Sequence, residues 1–106
     1  MSGIIMGNVQ GLGVASVTLS PASVAANTTA EQTFTVPGVD AFDVCIDVTK
    51  PTAQAGLGIV GCRVSADNTV GITFSNNTAS PIVPTASQVY QFVILRPDST
   101  LSGINF

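Results

Sequence analysis

Apolar and polar residues alternate with a repeat of two through almost the whole chain, and this feature constrains the fold most strongly. The clearest case is residues 42–49, in which Phe42, Val44, Ile46 and Val48 are separated by polar or small residues. Successive side chains of a β-strand point to opposite faces, so this pattern predicts a strand with one buried face. No apolar stripe with the 3.6-residue repeat of a helix reaches a useful length. The chain is therefore predicted to be all-β.

Gly, Pro, Asn, Asp and Ser interrupt the alternation and divide the chain into strands. The predicted strands are residues 15–20, 31–36, 42–49, 57–65, 69–75 and 88–96. The Ala66-Asp67-Asn68 turn joins the fourth and fifth strands into a hairpin, and the two glycines inside the fourth predict a bulge or a close backbone approach. The last strand is apolar on both faces, which is typical of a central strand or of one that covers a subunit contact.

Six or seven short strands at this spacing predict a small antiparallel β-sandwich or flattened barrel. At 106 residues the chain has room for one hydrophobic core and not for two. We expect an N-terminal arm at residues 1–13, a β-sandwich domain at 14–97 and a C-terminal tail at 98–106. The residues predicted to be most buried are Phe34, Val44, Ile46, Val64, Ile72 and Phe74.

The composition disfavours several classes of function. Only 8% of the residues are charged, the net charge is −3, and histidine is absent. Nucleic-acid binding needs clustered Lys and Arg, and histidine is the commonest general base and metal ligand. The sequence therefore predicts no enzyme, no catalytic residues, no metal site, no cofactor and no nucleic-acid partner.

The two cysteines, Cys45 and Cys62, leave two alternatives open. They form a disulfide, or they are small, partly buried thiols on strands, and the second alternative is favoured because nothing else in the sequence demands an oxidising compartment. The N-terminus lacks the features of a secretory signal, and no apolar run is long enough for a membrane helix. This combination predicts a chain that is used in the cytosol or carried out inside a larger particle, without a membrane partner.

The few charged residues have simple interpretations. Asp43 and Asp47 share a strand face but lie roughly 13 Å apart, so they are expected to keep a solvated strand face from pairing with other chains rather than to form a site. Arg63 and Arg96 each pair with an acid such as Asp67 or Asp98, or else contact an acidic neighbouring subunit.

The ends of the chain are apolar and suited to contacting a partner. The candidate partner-binding residues are Ile4, Ile5, Met6, Leu12, Arg63, Arg96 and Phe106. The low charge and the two-sided apolar last strand also predict a homo-oligomer, with three copies favoured over two.

Several strings along the chain carry a resemblance to a known kind of domain. They are residues 19–38 (LSPASVAANTTAEQTFTVPG), Lys50-Pro51, and residues 55–59 (AGLGI), 63–70 (RVSADNTV) and 72–76 (ITFSN). In this order they resemble a small β-sandwich domain that recurs in virion structural proteins of tailed bacteriophages. The resemblance extends from Val17 to Pro97, about three quarters of the chain.

The resemblance implies a structural role in a virus particle. Similar domains occur as capsid decoration or cement proteins, as head-fibre parts and as modules of tail proteins. We therefore expect a capsid decoration protein that bridges shell subunits, with the major capsid protein or another virion protein as its partner. Its expected location is the capsid surface, after synthesis in the host cytoplasm. The alternatives are a head- or tail-fibre module and, from another class, a secreted Ig-like binding domain.

Overall fold

The computed structural model describes residues 9–98, and these residues form six β-strands and no helix. The strands are β1 (Val9–Leu19), β2 (Thr28–Thr35), β3 (Val44–Thr49), β4 (Leu57–Ala66), β5 (Thr69–Asn76) and β6 (Gln88–Pro97). They build two three-stranded antiparallel sheets, with strand orders β1-β6-β3 and β2-β5-β4. The predicted small antiparallel β-sandwich is confirmed.

Only the β4–β5 connection stays within one sheet; the other four connections cross between the sheets. The β4–β5 hairpin turns at Asp67 and Asn68, as predicted, and Asn68 adopts a positive φ of 58°. Asparagine tolerates this left-handed conformation better than most residues do. The register of β4 against β5 shifts between Ile59 and Gly61, which confirms the predicted bulge.

The core lies between the two sheets. Its fully covered side chains come mostly from the central strands, β5 and β6, because each central strand is flanked by neighbours on both sides. The buried apolar residues are Leu19, Val24, Val36, Val39, Val48, Val70, Ile72, Phe74, Tyr90, Phe92 and Ile94. The predicted burial of Ile72 and Phe74 is confirmed, while Phe34 and Val64 are half-buried at the margin of the core.

The predicted faces of β3 are wrong. Val44 and Ile46 are 50% and 54% exposed, whereas Asp43 is buried and Cys45 packs against the core. A bulge between Cys45 and Asp47 then shifts the alternation by one residue, so that Val48 points inward again. Two long-range contacts determine this orientation: Cys45 is bonded to Cys62, and Asp43 forms an ion pair with Arg96.

Cys45 on β3 and Cys62 on β4 form a disulfide, contrary to the favoured prediction of two thiols. The two strands belong to different sheets, so the bond joins the sheets along one side of the sandwich. Both sulfur atoms must face the interior to meet, and the residues on either side of Cys45 consequently face outward. The disulfide is one reason why Val44 and Ile46 are exposed.

β1 begins at Val9, well before its predicted start at residue 15, and it pairs with β6 along its whole length. Residues 9–13, which belong to the predicted N-terminal arm, are therefore the first part of a strand in the β1-β6-β3 sheet. The predicted positions Ile4, Ile5, Met6 and Phe106 lie outside the described residues.

A buried asparagine fixes the long connections near the start of β2 and the end of β5. The Asn76 side-chain amide donates hydrogen bonds to the carbonyls of Val24 (3.0 Å) and Ser80 (2.9 Å). Its Oδ1 accepts bonds from the backbone N–H and the hydroxyl of Thr78. All the polar atoms of this side chain are thus satisfied, which is the condition for burying an amide without a large loss of stability.

Candidate interaction surface

The outer face of the β1-β6-β3 sheet carries an apolar patch. We define the apolar face as Leu12 and Val14 of β1, Val93 and Leu95 of β6, and Val44 and Ile46 of β3. Leu12 and Val14 are 65% and 62% exposed, and Val93 and Leu95 are half-buried between their neighbours. Single exposed aliphatic residues are ordinary on protein surfaces, but a contiguous group of them is a candidate contact surface.

The strand register shows that these residues are neighbours. Leu95 lies opposite Leu12 on one side and opposite Val44 on the other, so these three side chains form one row across the sheet. Val14 and Val93 form the next row, and the β3 bulge places Ile46 beside it. Asp47, which pairs with Val93, is the one charged residue in these two rows.

The outer face of the other sheet has the opposite character. Its exposed and half-buried positions are mostly hydroxyl residues, namely Thr29, Thr33 and Thr35 of β2 and Thr69, Thr73 and Ser75 of β5. We call these six residues the polar face. The sandwich therefore presents one apolar wall and one largely polar wall, although Val60 at the β4 bulge is 66% exposed. The apolar wall gains more from losing its contact with water.

An ion pair spans the polar face. The Arg63 guanidinium of β4 donates two hydrogen bonds to the Glu31 carboxylate of β2, at 2.7 and 2.9 Å. The pair crosses the central strand at Gly71, where a Cβ atom would overlap the Glu31 carboxylate. The hydrogen bond from Arg63 lowers the pKa of Glu31. The candidate partner-binding residue Arg63 is thus paired within its own chain, with an acid other than the predicted ones.

Arg96 closes one end of the sandwich with a second ion pair. Its Nε and Nη2 atoms donate to the two carboxylate oxygens of Asp43, at 2.9 and 2.7 Å, and Nη2 also bonds the carbonyl oxygen of Gly38. Asp40 lies 3.4 Å from the same nitrogen. This predicted partner-binding residue, like Arg63, is bound to acids of its own chain, and the acids differ from Asp67 and Asp98.

The sequence predicted that Asp43 lies on a solvated strand face. This prediction is wrong, because Asp43 is buried beneath Arg96. The hydrogen bond from Arg96 and a second one from the backbone N–H of Asp40 lower the pKa of Asp43, although burial acts in the opposite direction. Both carboxylate oxygens are occupied, so Asp43 is not placed to act as a base or as a metal ligand. Together with the disulfide, this ion pair turns Asp43 and Cys45 toward the interior.

We expect the Asp43–Arg96 pair to make the fold sensitive to acid. Because the pKa of Asp43 is lower in the folded state, the carboxylate stabilises the fold above its unfolded pKa of about 4. Below that pH the unfolded chain takes up a proton first, and stability falls until the folded-state pKa is passed. Melting temperatures measured from pH 7 to pH 2 should therefore drop less steeply below pH 4 in Asp43→Asn than in the wild type.

Glu31→Gln is the matched control for this prediction, because the pKa of Glu31 is also lowered, by a more exposed pair. It should retain most of the acid-dependent loss. Equal slopes for the wild type and Asp43→Asn would show that Asp43 is not the group responsible.

A cleft of about 700 Å³ lies at the same end of the sandwich. Gln10, Phe42, Asp67 and Arg96 are among the residues that line it. The Phe42 ring is 84% exposed, and Asp67 accepts a hydrogen bond from the backbone N–H of Ala41. No group of three or more potential metal ligands lies together within residues 9–98, and no helix in this part of the chain could span a membrane.

Comparison with known proteins identifies no relative: no family model, curated protein or solved structure matches this chain. The surface must therefore be interpreted from its own chemistry. Of the predicted partner-binding residues that the structure describes, only Leu12 lies on the apolar face. Val44 and Ile46 were missed because they were assigned to the core. The apolar residues on both faces of β6 predicted a central strand or a subunit contact, and the structure confirms the central position.

Proposed function

We propose that this protein is a non-catalytic structural protein of a tailed-bacteriophage virion, which decorates the capsid by binding shell subunits through its apolar face. The observation that carries the proposal is the contrast between the two walls of the sandwich. A protein that coats a larger assembly needs one surface that gains from burial and another that remains in water. The resemblance of residues 17–97 to phage virion domains indicates what kind of assembly this is.

The apolar face is large enough to contribute substantially to binding. Complete burial of one Val, Leu or Ile side chain contributes about 1.5–3 kcal/mol, and six such residues lie together. Association itself costs several kcal/mol in lost motion, within an estimated range of about 4–15 kcal/mol. Burial of the whole face therefore offsets much of this cost, and a contact with two adjacent shell subunits would add further surface.

The disulfide and the charge distribution support the same role. Disulfides persist on virion surfaces and in other oxidising surroundings, where they hold small domains together without help from the cell. In this proposal the chain is made in the host cytoplasm and the bond serves the released particle. The apolar face carries no cation, so the surface fits a protein partner, such as the major capsid protein, rather than nucleic acid.

A head- or tail-fibre module is the second candidate, and the exposed Phe42 ring beside the end cleft favours it. An aromatic ring at the tip of a domain, next to acidic side chains, is suited to contact with a host surface. In that role the tip would bind and the apolar face would join the module to the rest of the fibre. Capsid decoration thus uses the apolar face to bind the shell, whereas a fibre module would use the tip beside Phe42 to bind the host surface.

Copy number in purified particles tests the proposal and separates these candidates. A decoration protein should be present at hundreds of copies per particle, and a fibre module at tens at most. Quantitative gel staining or mass spectrometry against the major capsid protein gives the ratio. A copy number in the tens would contradict capsid decoration, and absence of the chain from particles would contradict a virion role altogether.

A further inference from the structure

The four edge strands of the two sheets differ in how they are protected. An unprotected edge is a template for pairing with another chain, and proteins block such edges with charges, bulges or coverage by other segments. β2 carries Glu31, and β3 carries Asp47 and a bulge. β4 carries Arg63 and two register shifts, and the disulfide holds its edge near that of β3.

β1 has neither charges nor bulges along most of its length. It contains no charged residue and no proline, and from Gly11 to Leu19 its pairing with β6 is unbroken. Within residues 9–98, no other strand pairs along its outer edge. The first 30 residues of the chain contain no Asp, Glu, Lys or Arg, so the segment that follows β1 adds no charge.

We propose that the free edge of β1 pairs in antiparallel orientation with β1 of a second copy of this chain. The result is one six-stranded sheet in the order β3-β6-β1-β1-β6-β3. The inference goes beyond the proposed function and does not depend on it, because the pair forms without a shell.

Two observations favour a second copy over a foreign strand. An antiparallel pair of identical strands is two-fold symmetric, so each edge meets its own uncharged sequence and no like charges face each other across the contact. When the two-fold axis lies at Gly13, the pairing also brings Leu12 and Val14 of both copies to one junction, where the two apolar faces become continuous. A two-fold contact of this kind forms a dimer, whereas the sequence analysis favoured a trimer.

Hydrogen exchange on the full-length protein, combined with its mass in solution, tests the pairing. Analytical ultracentrifugation should show a dimer at high micromolar concentration. In that dimer the alternate β1 amides that point away from β6 should be protected from exchange, and dilution should remove the protection. The corresponding outward amides of β2 should exchange rapidly at every concentration.

A lysine on the β1 edge should prevent the pairing. Gly13 is a suitable position, because a Cβ atom there would meet no other atom within 4 Å, and circular dichroism would show whether the variant is folded. Gly13→Lys should weaken dimerisation by about tenfold or more, because two like charges then approach each other in a low-polarity strand junction. Thr33→Lys on β2 is the matched control and should dimerise like the wild type.

Three results would overturn the proposal. They are a wild-type monomer at high concentration, a trimer, and a dimer whose outward β1 amides exchange freely. A monomer would mean that the β1 edge is available to a strand of another protein. A dimer with freely exchanging β1 amides would place the dimer contact elsewhere on the molecule. None of them bears on the particle copy number, so failure of this inference remains distinguishable from failure of the proposed function.

Discussion

Replacing Phe74 by alanine should lower the free energy of unfolding by about 3–5 kcal/mol, because the ring is fully buried and its removal leaves a cavity. Phe74 lies on the central strand β5 and faces the core between the sheets. A domain of this size is typically stable by about 5–15 kcal/mol. A domain at the lower end of this range would lose most of its stability, and urea denaturation of the wild type and the variant measures the difference.

Phe42→Ala is the matched control, since it removes the same ring from a position that is 84% exposed. Its free energy of unfolding should stay within about 0.5 kcal/mol of the wild type. A loss below about 1 kcal/mol for Phe74→Ala would contradict the placement of this ring in the core.

Removing the disulfide should have the second largest effect. The bond between Cys45 and Cys62 spans 17 residues, and the loop-entropy relation gives a stabilisation of about 3 kcal/mol for such a loop. The double variant Cys45→Ser/Cys62→Ser should melt roughly 12–24 °C below the oxidised wild type, at about 4–8 °C per kcal/mol for a domain of this size. Scanning calorimetry measures the difference.

Reduction of the wild-type protein provides the control. A reducing agent should lower the melting temperature of the wild type but leave that of the double variant unchanged. Two titratable thiols in the protein after oxidative purification, or a melting temperature that does not respond to reduction, would contradict the disulfide.

Local signals in the sequence were sufficient for part of the fold. The β4–β5 hairpin could be predicted because its turn residues, its alternation and its two strands lie within 20 residues. The central position of β6 was indicated by the apolar residues on both of its faces. In both cases the information lies within the element itself.

The face of β3 could not be predicted from its own pattern, because distant residues determine it. Cys62 and Arg96 bind the residues that the alternation placed outside, and the bulge at Ile46 then restores Val48 to the core. Assigning the two cysteines to a disulfide would have turned Cys45 inward and exposed Val44 and Ile46. The error in β3 is also the reason why a third of the apolar face, Val44 and Ile46, was missed.

The early start of β1 was missed for a related reason. Gly11 and Gly13 weaken the local strand signal, and residues 9–13 form a strand because β6 is long enough to pair with them. When a segment becomes a strand because a neighbouring strand pairs with it, its own sequence carries only a weak strand signal.

Rebinding of purified variants to phage heads that lack this protein tests the central claim most directly. Val44→Lys/Ile46→Lys changes the two exposed β3 residues of the apolar face, away from the β1 edge. Thr33→Lys/Thr35→Lys places the same charges on the polar face. Circular dichroism would first show that both variants are folded.

We expect the β3 variant to lose binding and the β2 variant to bind like the wild type, as measured by co-sedimentation with the heads. Loss of binding by the β2 variant alone, or equal binding by both variants, would contradict the proposal that the apolar face binds this protein to a phage head.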